Sequence, residues 1–255
     1  MDSKDFFSKE DITNDDLFYS TPRLVKHIDD NACEALTRFY RKYLKPDSAV
    51  LDLMSSWVSH LPEDIQYSRV SAQGMNKEEL EANPQLDDYV LQNLNENQTL
   101  VYEDETFDLC TIAVSVQYLT SPVKVFEEIA RVLKPNGVCC VSFSNRMFPT
   151  KAILAWRMSS NEDHCNLVSH YFKKTEKFAE VQVKKLVEEN GYYDPLFAVL
   201  GMKGEPKVVE SLILKNYQLA TCETCTSIVC KEICFNMSKL SKNNALLINK
   251  SYCKT

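Results

Sequence analysis

The sequence predicts an α/β protein built on a doubly wound sheet. Three observations carry this. The stretch from Phe107 to Phe148 parses as strand, helix, strand; SAVLDL at 48–53 is an apolar strand ahead of it; and β-type and α-type patterns alternate along the rest of the chain. Phe107 to Val114 is a short apolar run rich in β-branched residues, as expected of a strand buried on both faces. Ser121-Pro122 starts a helix, with Ser as N-cap and Pro at the first helical position. Val125, Phe126, Ile129, Val132 and Leu133 share one apolar face. Lys134-Pro135-Asn136-Gly137 stops the helix, Gly137 supplying the turn, and Val138 to Phe143 is a second apolar strand. Two buried strands joined by a crossover helix should be parallel and right-handed.

The remaining elements follow in order. Residues 1–30 form a polar N-terminal arm in which Phe6, Phe7, Phe18 and Tyr19 are anchors; it reads as a frayed end or as a cap over a pocket. Asp30 to Leu44 is a helix with Ala32, Leu36, Phe39, Tyr40 and Tyr43 on one side. Asp52 interrupts the apolar strand 48–53 near its carboxyl end, where open α/β sheets bind ligands. A second strand covers Gln66 to Ser71, and Asn76-Lys77-Glu78-Glu79 fits a capping box opening a short helix. Asp88 to Gln92 is a weak third strand, followed by a polar loop. Beyond the central unit, 150–158 and 179–189 read as helices and 194–200 as a last strand.

At 255 residues, 44% hydrophobic and 25% charged, the chain suits one domain with additions. The net charge of −7 argues against nonspecific nucleic-acid binding. No stretch is long and apolar enough to span a bilayer, and the acidic N-terminus lacks an apolar signal core, so a cytoplasmic chain is expected. The ten cysteines then read as thiols. Residues 204–255 form a C-terminal extension of different character, with a helix pattern from Pro206 to Leu219 followed by Cys222, Cys225, Cys230 and Cys234. The spacing lacks the Gly turn or paired His of a zinc site, so an amphipathic helix with cysteines on one side is the preferred reading and no metal is assigned.

The run from Val50 to Leu200 resembles the class I S-adenosylmethionine-dependent methyltransferases. The residues that carry the likeness are VLDLMSSWVSHLP at 50–62, GMNKEEL at 74–80, FDLCTIAVSVQYL at 107–119 and RVLKPNGVCCVSFSNRMFPTKA at 131–152. More narrowly it resembles a type 11 branch whose cofactor loop lacks glycine. The resemblance implies a Rossmann-like, mostly parallel seven-stranded sheet over residues 31–203, with an antiparallel last strand among strands around 180–203. It also implies S-adenosylmethionine as cofactor. Most of the class carries a Gly-x-Gly loop after the first strand, whereas this chain has Asp52-Leu53-Met54-Ser55-Ser56-Trp57.

Carried onto this chain, the resemblance makes Asp52 the partner of the cofactor's ammonium, and Ser55 and Ser56 the lining of its carboxylate. The second strand of the class ends in an acid on the ribose; here Gln73-Gly74-Met75-Asn76 stands in its place. Gly74 would allow close approach, Met75 would pack on adenine and Asn76 would bond ribose or cap its helix. Asn93 and Leu94 occupy the adenine-amine position, and Ser115 and Tyr118 lie beside the transferred methyl. Methyl transfer needs orientation and a dry site, with a base only for a protonated nucleophile. The base candidates are His60, His164, His170 and Tyr118, with His170 and Tyr118 weakly preferred and His27 placed on a surface helix. Arg146 would bind an anionic substrate or pair with a carboxylate of the fold. A small-molecule methyl acceptor is the favoured substrate class. A protein methyltransferase and a non-catalytic subunit docking a protein partner through the C-terminal extension are the alternatives.

Overall fold

The structure is a computed structural model and describes residues 5–204. A 3-10 turn at Asp5–Phe7 opens the arm. The elements are α1 (Asp15–Phe18), α2 (Asp30–Tyr40), β1 (Ala49–Leu53), β2 (Arg69–Gly74), α3 (Lys77–Glu81), β3 (Asp88–Leu91) and β4 (Phe107–Ala113). They continue as α4 (Pro122–Val132), β5 (Leu133–Phe143), α5 (Leu154–Arg157), α6 (Asn161–Thr175), β6 (Phe178–Val187) and β7 (Leu196–Lys203). One seven-stranded sheet has the order β3-β2-β1-β4-β5-β7-β6. Strands β1 to β5 pair in parallel, and β7 runs antiparallel between β5 and β6. The strand order reverses between β1 and β4, so a crevice opens beyond their carboxyl ends.

The alternation of the central strands explains why both faces are covered. Leu51, Leu53, Cys110, Ile112, Cys139, Val141 and Phe143 face Val125, Phe126 and Ile129 of α4 and Val168 and Phe172 of α6. Their neighbours Val50, Leu109 and Cys140 face Ala32, Leu36, Phe39 and Tyr40 of α2 on the other side. Cys33, Cys110, Cys139, Cys140 and Cys165 are buried free thiols.

Several local expectations are corrected. The stretch 179–189, expected as a helix, is β6: its valines alternate with polar residues, and the strand closes the sheet's edge with Lys184 and Lys185 exposed. The resemblance had implied strands there. The expected helix at 150–158 shrinks to α5, and the fifteen-residue α6 lies between the expected elements, where the sequence reading places none. Its start is marked by a capping box of Ser160 and Asp163, with Asp where the usual pattern has Glu or Gln. Strand β2 begins at Arg69, three residues later than expected. After α4 the left-handed turn is made by Asn136 (φ 63°), not Gly137. Gly137 is needed for contact, since a Cβ there would sit 2.8 Å from the Lys134 carbonyl. Ser121 holds the N-cap position of α4 without a side-chain cap bond. The 206–219 helix pattern and Cys222, Cys225, Cys230 and Cys234 lie outside the described residues.

Candidate active site

At the crevice, the chain leaves β1 and β4 through left-handed residues that are not glycine: Met54 (φ 54°) and the β-branched Val114 (φ 53°). Each such residue costs about 1–3 kcal/mol and persists only where the surroundings fix it. Gln73, the buried penultimate residue of β2, fixes the first. Its Oε1 accepts from Met54 N at 3.0 Å, its carbonyl from Ser55 N at 2.8 Å, and its Nε2 donates to the Gln92 carbonyl at 2.6 Å. Val114 is held by its N–H on the Ser142 carbonyl and by Gln117 Nε2 on its own carbonyl. These ends frame a cleft of about 550 Å³.

Asp52, Ser55, Ser56, Met75, Asn76, Asn93, Leu94, Ser115 and Tyr118 all line this cleft. Asp52 is buried; its Oδ2 accepts from Ser55 Oγ at 2.6 Å and its Oδ1 from Thr111 Oγ1 at 2.8 Å. Burial outweighs these hydroxyls and pushes its carboxyl up to about 6. Ser115 Oγ is buried in the cleft wall with no hydrogen-bond partner. Other expected roles meet competition. The hydroxyl and N–H of Ser55 are both engaged within the fold, and Ser56 Oγ donates to Glu79 Oε2 at 2.6 Å. Asn76 accepts from Glu79 N as the α3 cap and donates to the carbonyls of Tyr19 (2.9 Å) and Ser20 (3.1 Å), so its amide is spent on cap and arm rather than left for ribose. Glu79 does not close the capping box; it turns to Ser56 and the Arg23 N–H. Gly74 serves packing rather than ligand approach: a Cβ there would meet the Ser55 carbonyl at 2.6 Å. Asn93 Oδ1 accepts from Asn95 N at 3.0 Å.

The arm supplies the other wall. Asp15, Tyr19, Arg23, His27 and Asp29 also line the cleft. Asp15 pairs with Lys9 at 2.6 Å and with the fully buried Lys151 at 3.3 Å, and accepts from Asn95 Nδ2 at 2.9 Å. Lys151 further donates to the Thr13 carbonyl at 2.7 Å. The arm is thus a cap, not a frayed end. The sequence signals for these residues were weak: Asp15 and Arg23 sit in a polar stretch without periodicity, and Glu79 declared itself only as the third residue of a helix that follows a strand directly.

The base candidates separate cleanly. His170 is exposed on α6 and does not line the cleft, because α6 packs on the sheet face and turns that residue outward. His164 stacks on Trp156 at 3.9 Å, with Nε2 on the Trp156 carbonyl at 2.8 Å; both are core. Tyr118 accepts the Phe148 N–H at 2.8 Å, and burial raises its hydroxyl further above its usual range, so it stays protonated. His60 lines the cleft, held neutral by burial that pushes it down to about 4. His27 is exposed as expected, but it lies in the arm's last loop and not on a helix; it lines the cleft, edge-on to Phe148 at 5.5 Å. Arg146 pairs with Asp194 at 2.7 Å.

Comparison with known proteins agrees with this architecture. Residues 63–141 match the family model of the type 11 methyltransferase domain. Over that stretch the chain is similar to a class I methyltransferase domain of type 11. Over 100 residues, 39% of the chain, it is 30% identical to the biotin biosynthesis bifunctional protein BioHC of Teredinibacter turnerae, covering 16% of that protein. Over 50 residues, 20% of the chain, it is 46% identical to the ubiquinone/menaquinone biosynthesis C-methyltransferase UbiE of Hydrogenovibrio crunogenus, covering 18% of it. The chain thus spans less than a fifth of either relative. Among solved structures, phosphoethanolamine N-methyltransferase 2 of Haemonchus contortus superposes with a TM-score of 0.50 at 12% identity, over 67% of this chain and 52% of that one. The [4+2]-cyclase SpnF gives a TM-score of 0.51 at 13% identity, over 68% and 82%. A chain of a Haloferax volcanii complex containing the Trm112 methyltransferase activator gives 0.51 at 13%, over 69% and 91%. These structural likenesses speak for the fold alone, and the presence of a cyclase among them shows that the fold does not by itself dictate the reaction.

Proposed function

We propose that this methyltransferase domain binds S-adenosylmethionine and methylates a small molecule. The observation that carries the reading is Asp52, a carboxyl group buried at the carboxyl end of β1 where the strand order reverses, opening on the cleft. The residues fit the cofactor. Asp52 would take the ammonium, the unpartnered Ser115 hydroxyl offers an unused polar group in the same cleft, Met75 would pack on adenine and the Leu94 amide would donate to the ring. Acidic residues outnumber basic ones in the cleft, which suits a net cationic ligand: Asp15, Asp29, Asp52, Glu79 and Asp194 against Arg23, Lys26 and Arg146.

When bound, the cofactor supplies the transferable methyl group as a sulfonium. The chain orients the reactants and excludes water. The arm, latched through Asp15 to Lys151 and Asn95, covers the cleft, as a pocket for a small acceptor requires and an open groove for a protein substrate does not. A ring nitrogen of His27 is the group placed to take a proton from an acceptor that arrives protonated. Buried free thiols support the cytoplasmic setting. No helix among the described residues is long and apolar enough to cross a membrane.

A second reading, a non-catalytic subunit that docks a protein partner, is favoured by one observation: Ser55 and Asn76 spend their polar groups inside the fold. Calorimetric titration of S-adenosylmethionine decides between the two. Low-micromolar binding that is lost in a folded Asp52→Ala variant is expected; no heat and no thermal stabilisation in folded wild type would sink the enzyme reading.

A further inference from the structure

Resting on the reading above, we propose that Arg23 of the N-terminal arm binds the carboxylate of the cofactor's amino-acid end, in place of the loop that lacks glycine. A carboxylate in a covered cleft needs N–H donors or a cation. The loop after β1 has committed its first two N–H groups elsewhere: Met54 N goes to Gln73 Oε1 and Ser55 N to the Gln73 carbonyl. The Ser55 hydroxyl goes to Asp52 and the Ser56 hydroxyl to Glu79.

Three cationic side chains line the cleft. Lys26 pairs with Asp30 and Arg146 with Asp194. Among the described residues Arg23 has no carboxylate partner for its guanidinium. That group lies over the rings of Phe18 at 4.6 Å and Phe148 at 5.3 Å, and gives two in-plane hydrogen bonds to the carbonyls of Phe18 and Thr21. A guanidinium carries five donors, and aromatic faces leave its edge available for a planar anion. The arm is also tied to the loop it would replace. Arg23 N donates to Glu79 Oε1 at 2.7 Å while Glu79 Oε2 accepts from Ser56, and Trp57 Nε1 donates to the Val25 carbonyl at 3.1 Å. Asp52 and Arg23 would then read the two charges of one amino acid, the first from the sheet and the second from the cover. Cofactor binding and closure of the arm become one event.

The test uses two ligands that differ in the amino-acid end. S-adenosylhomocysteine carries it; 5′-methylthioadenosine keeps the nucleoside and sulfur but has no carboxylate. Both are titrated calorimetrically into the full chain as wild type, Arg23→Gln and Arg23→Lys, with melting curves confirming that each is folded. We expect Arg23→Gln to weaken S-adenosylhomocysteine roughly 10- to 100-fold, to leave methylthioadenosine within about 2-fold, and Arg23→Lys to recover part of the loss. Unchanged S-adenosylhomocysteine affinity in Arg23→Gln overturns the assignment. Equal weakening of both ligands also overturns it, because that is the signature of a displaced arm. Wild type that binds neither ligand removes the methyltransferase reading itself, and Arg23's role with it.

Discussion

The carboxyl group of Asp52 is the residue on which pH should act. Its folded value of about 6 lies above its ordinary 3.8, so the folded state holds the proton more tightly than the unfolded chain. The stability this gives is fully present below the unfolded value and is lost as pH rises from about 4 through about 6. Above pH 6 the ionised group costs on the order of 3 kcal/mol. The stability difference between wild type and Asp52→Asn, read from denaturation midpoints, should therefore shift in favour of the variant as pH rises from about 4.5 to about 7.5. Cofactor affinity should run the opposite way, falling below about pH 6 as the partner of the ammonium is neutralised; titrations at pH 5 and 7.5 check it, and Asp52→Asn should flatten the dependence. Asp52 was legible in the sequence because a charge inside an apolar strand needs a reason. Gln73 was noted only as the place where an acid is missing. That it ties the β1 loop to β2 and β3 depends on three strand ends meeting, which no local pattern encodes.

At the scale of elements, the central strands β1, β4 and β5 were readable because each is built on a short, mostly apolar run, AVL in β1, FDLCTIA in β4 and VCCVSF in β5. Strand β6 was misread because an edge strand with one wet face mixes Glu, Gln and Lys into its apolar pattern, and Val181, Val183, Leu186 and Val187 also fit one side of a helix. Helix α6 was missed for the reverse reason: its first turn, Asn161–His164, is wholly polar. The joint between these elements is tight. At Gly201 of β7 a Cβ would fall 2.4 and 2.5 Å from the ring of Phe172, which Phe126 and Phe178 wedge at 4.7 and 4.8 Å. Gly201→Ala should cost about 3 kcal/mol, measured by chemical denaturation. Gly191, in open space, should tolerate alanine with only the smaller strain of its left-handed backbone.

For the molecule as a whole, the arm is the part the sequence described least, since its contacts are polar and distant. Lys151 is fully buried among Asp11, Thr13 and Asp15, residues about 140 positions away in the chain. Lys151→Met keeps the apolar stem and removes the charge, leaving Asp15 with Lys9 and Asn95. Breaking such a buried pair costs about 3 kcal/mol. The loss should fall on the arm, so limited proteolysis should cut ahead of residue 30 while 31–203 survives, and S-adenosylhomocysteine should slow the cut.

The insertion of β7 between β5 and β6 has a consequence for how the protein is made. A ribosome delivers β5 long before residues 196–203, and until then the edge of β5 that β7 will occupy stays bare, with Val138 to Phe143 presenting unpaired backbone. The hazardous species is thus the nascent chain and not the finished one. Translation that stalls or terminates ahead of Leu196 should yield products that pair with one another through β5, however stable the completed sheet is.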